Sequence, residues 1–146
     1  MVDEIADGIT LQFFDDGSIA HFMIGRVDGN RPDRLSAAVL DLLHDWPPGR
    51  PIKLIYDLSI SGASLALVQL FGDVSVGVTP EGVEAVNAFK ANNPKSTIYL
   101  ATVLPKSISG RRAERKVDKH RVDQQFEGVV VFKRDDALEW LRTVGG

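Results

Sequence analysis

The chain has 146 residues, 44% hydrophobic and 25% charged, which suits one folded domain and excludes an extended disordered chain. Its net charge of −3 gives no whole-molecule attraction for nucleic acid or an anionic membrane. It has no cysteine, which excludes a disulfide framework, thiolate zinc sites and a cysteine nucleophile, and which accords with a reducing, cytoplasmic setting.

Met1 to Asp7 carries acids where a secretory leader carries Lys or Arg ahead of an apolar run, so no leader is expected and residues 1–7 should be flexible. Ile9 to Phe14 alternates as a strand, with Ile9, Leu11 and Phe13 on one face. Asp15-Asp16-Gly17 is a tight turn, and Ile19 to Val27 returns as the second strand of a hairpin. Asn30-Arg31-Pro32 opens a helix in which Leu35, Ala38, Val39, Leu42, Leu43 and Trp46 recur at helical spacing, and Pro47-Pro48-Gly49 ends it. Ile52 to Leu58 is a mostly apolar strand of the kind buried on both faces.

Ser59 to Ser64 reads as a Ser/Gly loop and Leu65 to Phe71 as a short helix, with an extended piece allowed at Val74, Val76 and Val78. Thr79-Pro80-Glu81 starts a helix with a capping hydroxyl, a proline at the first position and an acid, and Asn92-Asn93-Pro94 stops it. Thr97 to Leu104 is another buried strand, Ser107 to Asp123 reads as a polar, basic helix, and Gly128 to Phe132 is the last strand. Asp135 is placed to cap a final helix carrying Leu138, Leu141 and Val144. The order β-β-α-β-α-β-α-β-α predicts one α/β domain over residues 1–146, its mixed sheet opening with an antiparallel hairpin and continuing in parallel β-α units.

This layout resembles the STAS-like family of anti-sigma-factor antagonists and SpoIIAA-like domains over nearly the whole chain. The local echoes are Leu54-Ile55-Tyr56-Asp57-Leu58-Ser59, similar to that family's third strand, and Val129-Val130-Val131-Phe132 followed by Asp135-Asp136-Ala137-Leu138-Glu139-Trp140-Leu141, similar to its last strand and helix. The family's regulatory serine sits in an Asp-Ser-Ser-Gly stretch. Here Ser61-Gly62-Ala63-Ser64 occupies the region without an acid before the serine. The resemblance implies a non-enzymatic binding domain that takes protein partners or, in some relatives, small apolar or anionic ligands.

Ligands of an open, mostly parallel sheet sit beyond the carboxyl ends of its strands. Those ends carry Asp57, Ser59, Ser61, Gly62 and Ser64 after one strand, and Lys106 and Ser107 after another, enough to hold a small anion or simply to make turns and caps. Asp57 could serve as a general base, but no histidine lies close in sequence to the neighbouring serines, and His21, His44 and His120 show no metal-ligand spacing. On a helical wheel Leu67, Leu70 and Phe71 share one side of a helix with almost no polar face, so either the fold or a partner covers it. In the segment from Lys106 to Arg121, Arg111, Arg115 and Lys119 would form the outer face of a helix. That is a solvated face or a strip for an acidic protein partner, and without an aromatic residue to stack on bases it is no nucleic-acid reader.

The expected function is therefore regulatory: docking of a protein partner near the loop and helix after the third strand, with no cofactor, no metal and no membrane insertion. The alternative is binding of a small apolar or anionic ligand at the carboxyl ends of the parallel strands. An enzyme built on Asp57 and a serine ranks third, and a homodimer is permitted.

Overall fold

Backbone pairing at the amino terminus begins earlier than the apolar alternation suggests. A computed structural model describes residues 2–25, 31–47, 49–58, 79–103, 119–123 and 125–144, and its first element is strand β1 (Val2–Ala6). β1 runs antiparallel to β2 (Ile9–Phe14), from Val2 opposite Gln12 to Ala6 opposite Ile9. This corrects the expectation of a flexible end. The ladder satisfies backbone groups that a loose end would leave to water, and Ile5 and Ala6 pack on the core.

β2 returns as β3 (Ile19–Ile24) through the expected turn. Asp15, Asp16 and Gly17 take φ of 53°, 57° and 86°, a left-handed run that short polar side chains and glycine tolerate. The N–H of Gly17 donates to the carbonyl of Phe14 at 3.2 Å, closing the turn.

The next elements are α1 (Arg31–Asp45), β4 (Ile52–Asp57), α2 (Pro80–Asn92) and β5 (Ile98–Val103). The start of α2 is built as its sequence indicates: Oγ1 of Thr79 accepts from the N–H of Gly82 at 3.0 Å, and Pro80 stands at the first helical position. Lys119–Asp123 is strand β6, antiparallel to β7 (Phe126–Val131), with Lys119 opposite Val129. The helix expected as far as Asp123 is thus corrected, because the backbone of 119–123 completes the free side of β7. Lys119 consequently does not continue a helical face with Arg111 and Arg115. The chain then forms α3 (Arg134–Thr143). Lys133, not Asp135, holds the capping position and makes no side-chain cap. Asp135 and Asp136 lie in the first turn, where their charge favours the positive end of the helix.

The expected loop at 59–64, the helix at 65–71, the valine piece at 74–78 and the basic stretch at 106–118 lie outside the described residues.

The sheet order is β1-β2-β3-β4-β5-β7-β6. β3, β4, β5 and β7 are parallel, β2 and β6 antiparallel to their neighbours, so the fold is the mixed α/β sheet the sequence predicts. One face, carrying Phe22, Leu54, Tyr56 and Leu100, packs on Leu35, Val39 and Leu43 of α1 and on Val86 and Phe89 of α2. The other, carrying Ile55, Ala101, Val129 and Val131, packs on Ala137, Leu138 and Leu141 of α3. Burial also pushes the Tyr56 hydroxyl far above the usual phenol range, so it stays neutral. Across the surface, Nε and Nη2 of Arg142 donate to Oδ2 and Oδ1 of Asp15 at 2.8 and 3.0 Å, fastening α3 to the β2–β3 turn.

Two measurements check this packing. Leu54 is fully buried on the central strand, so Leu54→Ala should cost about 2–5 kcal/mol in urea unfolding, with an unchanged m-value. The Arg142 hydrogen bonds hold the Asp15 carboxyl below the ordinary Asp range. The small stability this pair contributes is present above that ordinary range and is lost as pH falls through the depressed folded value. Carbon-detected NMR titration should place Asp15 below free Asp in the wild type and return it toward the free value in Arg142→Gln.

Candidate functional site

At the carboxyl ends of the four parallel strands stand Ile24, Asp57, Val103 and Val131. Three are apolar and buried. Asp57 is the exception, a carboxylate only 1% exposed. A carboxylate removed from water needs charged or hydrogen-bonding partners, and one of them is His21. Its Nε2 donates to Oδ2 of Asp57 at 2.8 Å, and its side chain is 3% exposed.

The sheet register produces this contact. In the parallel pair β3/β4, His21 stands opposite Ile55 and Met23 opposite Asp57. Since side chains alternate between faces, His21, Ile55 and Asp57 share one face, and His21 and Asp57 are diagonal neighbours on it. On the far side of the imidazole the Phe14 ring meets it edge-on at 5.6 Å between centroids, and the Arg134 guanidinium lies 5.7 Å from the centre of that ring. The pair therefore sits between β2 and β4, beside the core under α3.

An Asp–His pair is the orienting half of a nucleophilic triad: the carboxylate fixes the tautomer, and the second ring nitrogen takes a proton from a hydroxyl. Here the pair is sealed among strands, with neither side chain more than 3% exposed. What the geometry does is tie β3 to β4 with a charge-assisted hydrogen bond inside the sheet face.

Of the sequence-derived site residues, the structure places Asp57 and Lys119. Lys119 starts β6, three strands from β4, about 14 Å away at the usual strand spacing, so the two do not form one site. Ser59, Ser61, Gly62, Ser64, Leu67, Leu70, Phe71, Lys106, Ser107, Arg111 and Arg115 lie outside the described residues. The residue that sequence reasoning missed is His21. Its signal was a polar residue amid the apolar run Ile19-Ala20-His21-Phe22-Met23-Ile24, a position that demands a buried partner. Among the described residues no three His, Asp or Glu converge as metal ligands, and no helix is long and apolar enough to cross a membrane.

Comparison with protein-family models, with curated proteins and with solved structures finds no match for this chain.

The coupling within the pair is measurable. Asp57→Ala and His21→Ala should each cost about 3–5 kcal/mol, because each removes one half of a buried hydrogen-bonded pair. The double variant should cost less than the two combined by about 0.5–3 kcal/mol. Urea unfolding of the four proteins closes the cycle, and strict additivity would show that the two groups act independently.

Proposed function

We propose that this chain is a non-enzymatic interaction domain that docks a protein partner through the segment following β4, residues 59–71, at the carboxyl ends of the parallel strands. The observation that supports it is the sealed Asp57–His21 pair. The one titratable group among the four strand-end residues is committed to packing, 2.8 Å from its partner, and is not presented to a substrate. The other three ends are apolar, which favours an edge that backs neighbouring chain. The STAS-like layout accords with this role, since β4 ends in Tyr56-Asp57, followed through Leu58 by the segment whose Leu67, Leu70 and Phe71 would face the partner.

The apolar strand ends also favour a second reading. A small apolar or anionic ligand would sit there, with Ser59, Ser61, Gly62, Ser64, Lys106 and Ser107 as its polar contacts.

Native mass spectrometry of the freshly purified chain separates the two. The docking role predicts the mass of the bare polypeptide. A stoichiometric adduct of a few hundred daltons, lost in Ser61→Ala/Ser64→Ala, would replace it with the ligand role. Contact residues should also be cheap to truncate: Leu67→Ala, Leu70→Ala and Phe71→Ala should each cost less than about 1 kcal/mol in equilibrium unfolding. Losses of about 2–5 kcal/mol at all three would make them ordinary core and end the docking role.

A further inference from the structure

The amino ends of the parallel strands carry a feature of opposite character, independent of the docking edge. Between the end of α1, the loop leading into β4 and the loop from α2 into β5 lies a cleft of about 640 Å³. Its floor is Leu43, Ile52 and Phe89, all buried core side chains, with the half-buried Trp46 as one wall. Arg50 and Lys95 stand at its mouth, both exposed. The same two cations also line an adjoining hollow of about 230 Å³ that runs past Thr97 to Tyr99. Among the described residues lining either space there is no Asp or Glu, although the chain as a whole is acidic. Neither Arg50 nor Lys95 has an ion-pair partner among the described residues.

The walls are held from outside the cleft. Nε1 of Trp46 donates to the carbonyl of Pro51 at 3.1 Å, which fixes the indole against the entry to β4. On the other side, the amide of Gln125, from the connection before β7, reaches the carbonyls of Lys90, Asn93 and Ser96 at 3.1, 2.9 and 3.1 Å. The backbone ties of Ile52 to Thr97 at 2.9 Å and of Ile98 to Gln125 at 2.7 Å complete the frame. The segment that positions Lys95 is thus braced by β4 and by the connection leading into β7. A pre-formed wall lowers the ordering cost of binding.

An apolar, aromatic floor of this size with a few polar groups at its rim is the usual make-up of a small-molecule site. Two cations with no ion-pair partner and no acid among the described residues select the charge of the ligand. The geometry points to a binding site for a small organic carboxylate with an apolar or aromatic body, its anion between Arg50 and Lys95 and its body against Trp46 and Phe89. Arg50 supplies a planar fork that matches a carboxylate, and Lys95 a second point charge. The site lies at the opposite end of the strands from residues 59–71, so it stands whether or not the docking role does.

The test is a ¹H–¹⁵N NMR titration of the full chain with sodium 2-naphthoate, beside its neutral analogue 2-naphthalenemethanol and inorganic phosphate. The expected result is saturable shifts of the Trp46 indole N–H and of the Lys95, Ser96 and Thr97 amides with 2-naphthoate. The neutral analogue and phosphate should each bind at least about tenfold more weakly, since each lacks one of the two contacts. Arg50→Gln/Lys95→Gln, a change confined to exposed side chains, should weaken 2-naphthoate binding by a similar factor and leave the melting temperature unchanged. The site is overturned if 2-naphthoate gives no saturable shift, if the shifts map to the carboxyl ends of the strands, or if the double variant binds as well as the wild type. It is equally overturned if the neutral analogue or phosphate matches 2-naphthoate.

Discussion

Strand β4 is buried on both faces, from Ile52 through Asp57 with only Lys53 reaching partly to water, and the rest of the chain is arranged to meet that requirement. A sheet face cannot be left to solvent when it carries Leu54 and Tyr56 on one side and Ile55 on the other. Strands β3, β4, β5 and β7 are laid down in one direction across the sheet. Right-handed crossovers between neighbours added in one direction all fall on the same face, and that is where α1 and α2 lie, sharing one core. The second face must then be covered from elsewhere. Helix α3 does so after β7, bringing Ala137, Leu138 and Leu141 onto Ile55 and Val103. The Arg142–Asp15 fork fastens the far end of that helix to the β2–β3 turn, so the helix after β7 is tied back to the amino-terminal strands.

The Asp57–His21 pair belongs to the same constraint. It lies on the face that α3 covers, at the point where β4 ends, where a buried polar group needs hydrogen-bonding partners. Paired, the two satisfy each other and add a side-chain tie between β3 and β4 to the backbone ladder. That tie fixes the register, since slipping β3 by one residue would send His21 to the opposite face, among Phe22 and Leu54.

The two ends of the parallel strands differ because different residues stand at them. The carboxyl ends are apolar apart from a buried carboxylate hydrogen-bonded to His21. The amino ends open into a cleft whose floor is the underside of the core and whose mouth is cationic. Gln125 is central to that difference, because one side-chain amide from the β6–β7 connection braces the loop between α2 and β5. The proposed docking edge and the proposed anion cleft therefore share no residue.

Local physics made much of this legible in the sequence. The alternation in Ile9 to Phe14, the Asp-Asp-Gly turn, the helical stripe from Leu35 to Trp46, the Thr79-Pro80 start and the apolar run at Ile52 each depend on residues a few positions apart, and each element forms where that pattern puts it. The pattern failed where a partner distant in sequence decides the outcome. Val2–Ala6 and Lys119–Asp123 become strands because β2 and β7 offer them a free backbone edge, which no local periodicity records. Asp135 looks like a cap, yet the entry of the chain from β7 gives that position to Lys133. Asp57 was visible as a polar residue at a strand end, but its role was set by an imidazole 36 residues earlier in the chain. The contributors to the cleft, Trp46, Arg50, Phe89, Lys95 and Gln125, are spread over some eighty positions and become neighbours only through the order in which the strands are laid side by side. Sequence by itself determined the elements whose own residues carry a clear spacing, and which of their faces would seek the core, because those are local properties. Only the tertiary structure decided which charges would be paired and which left open, because burial and pairing are properties of neighbours in space.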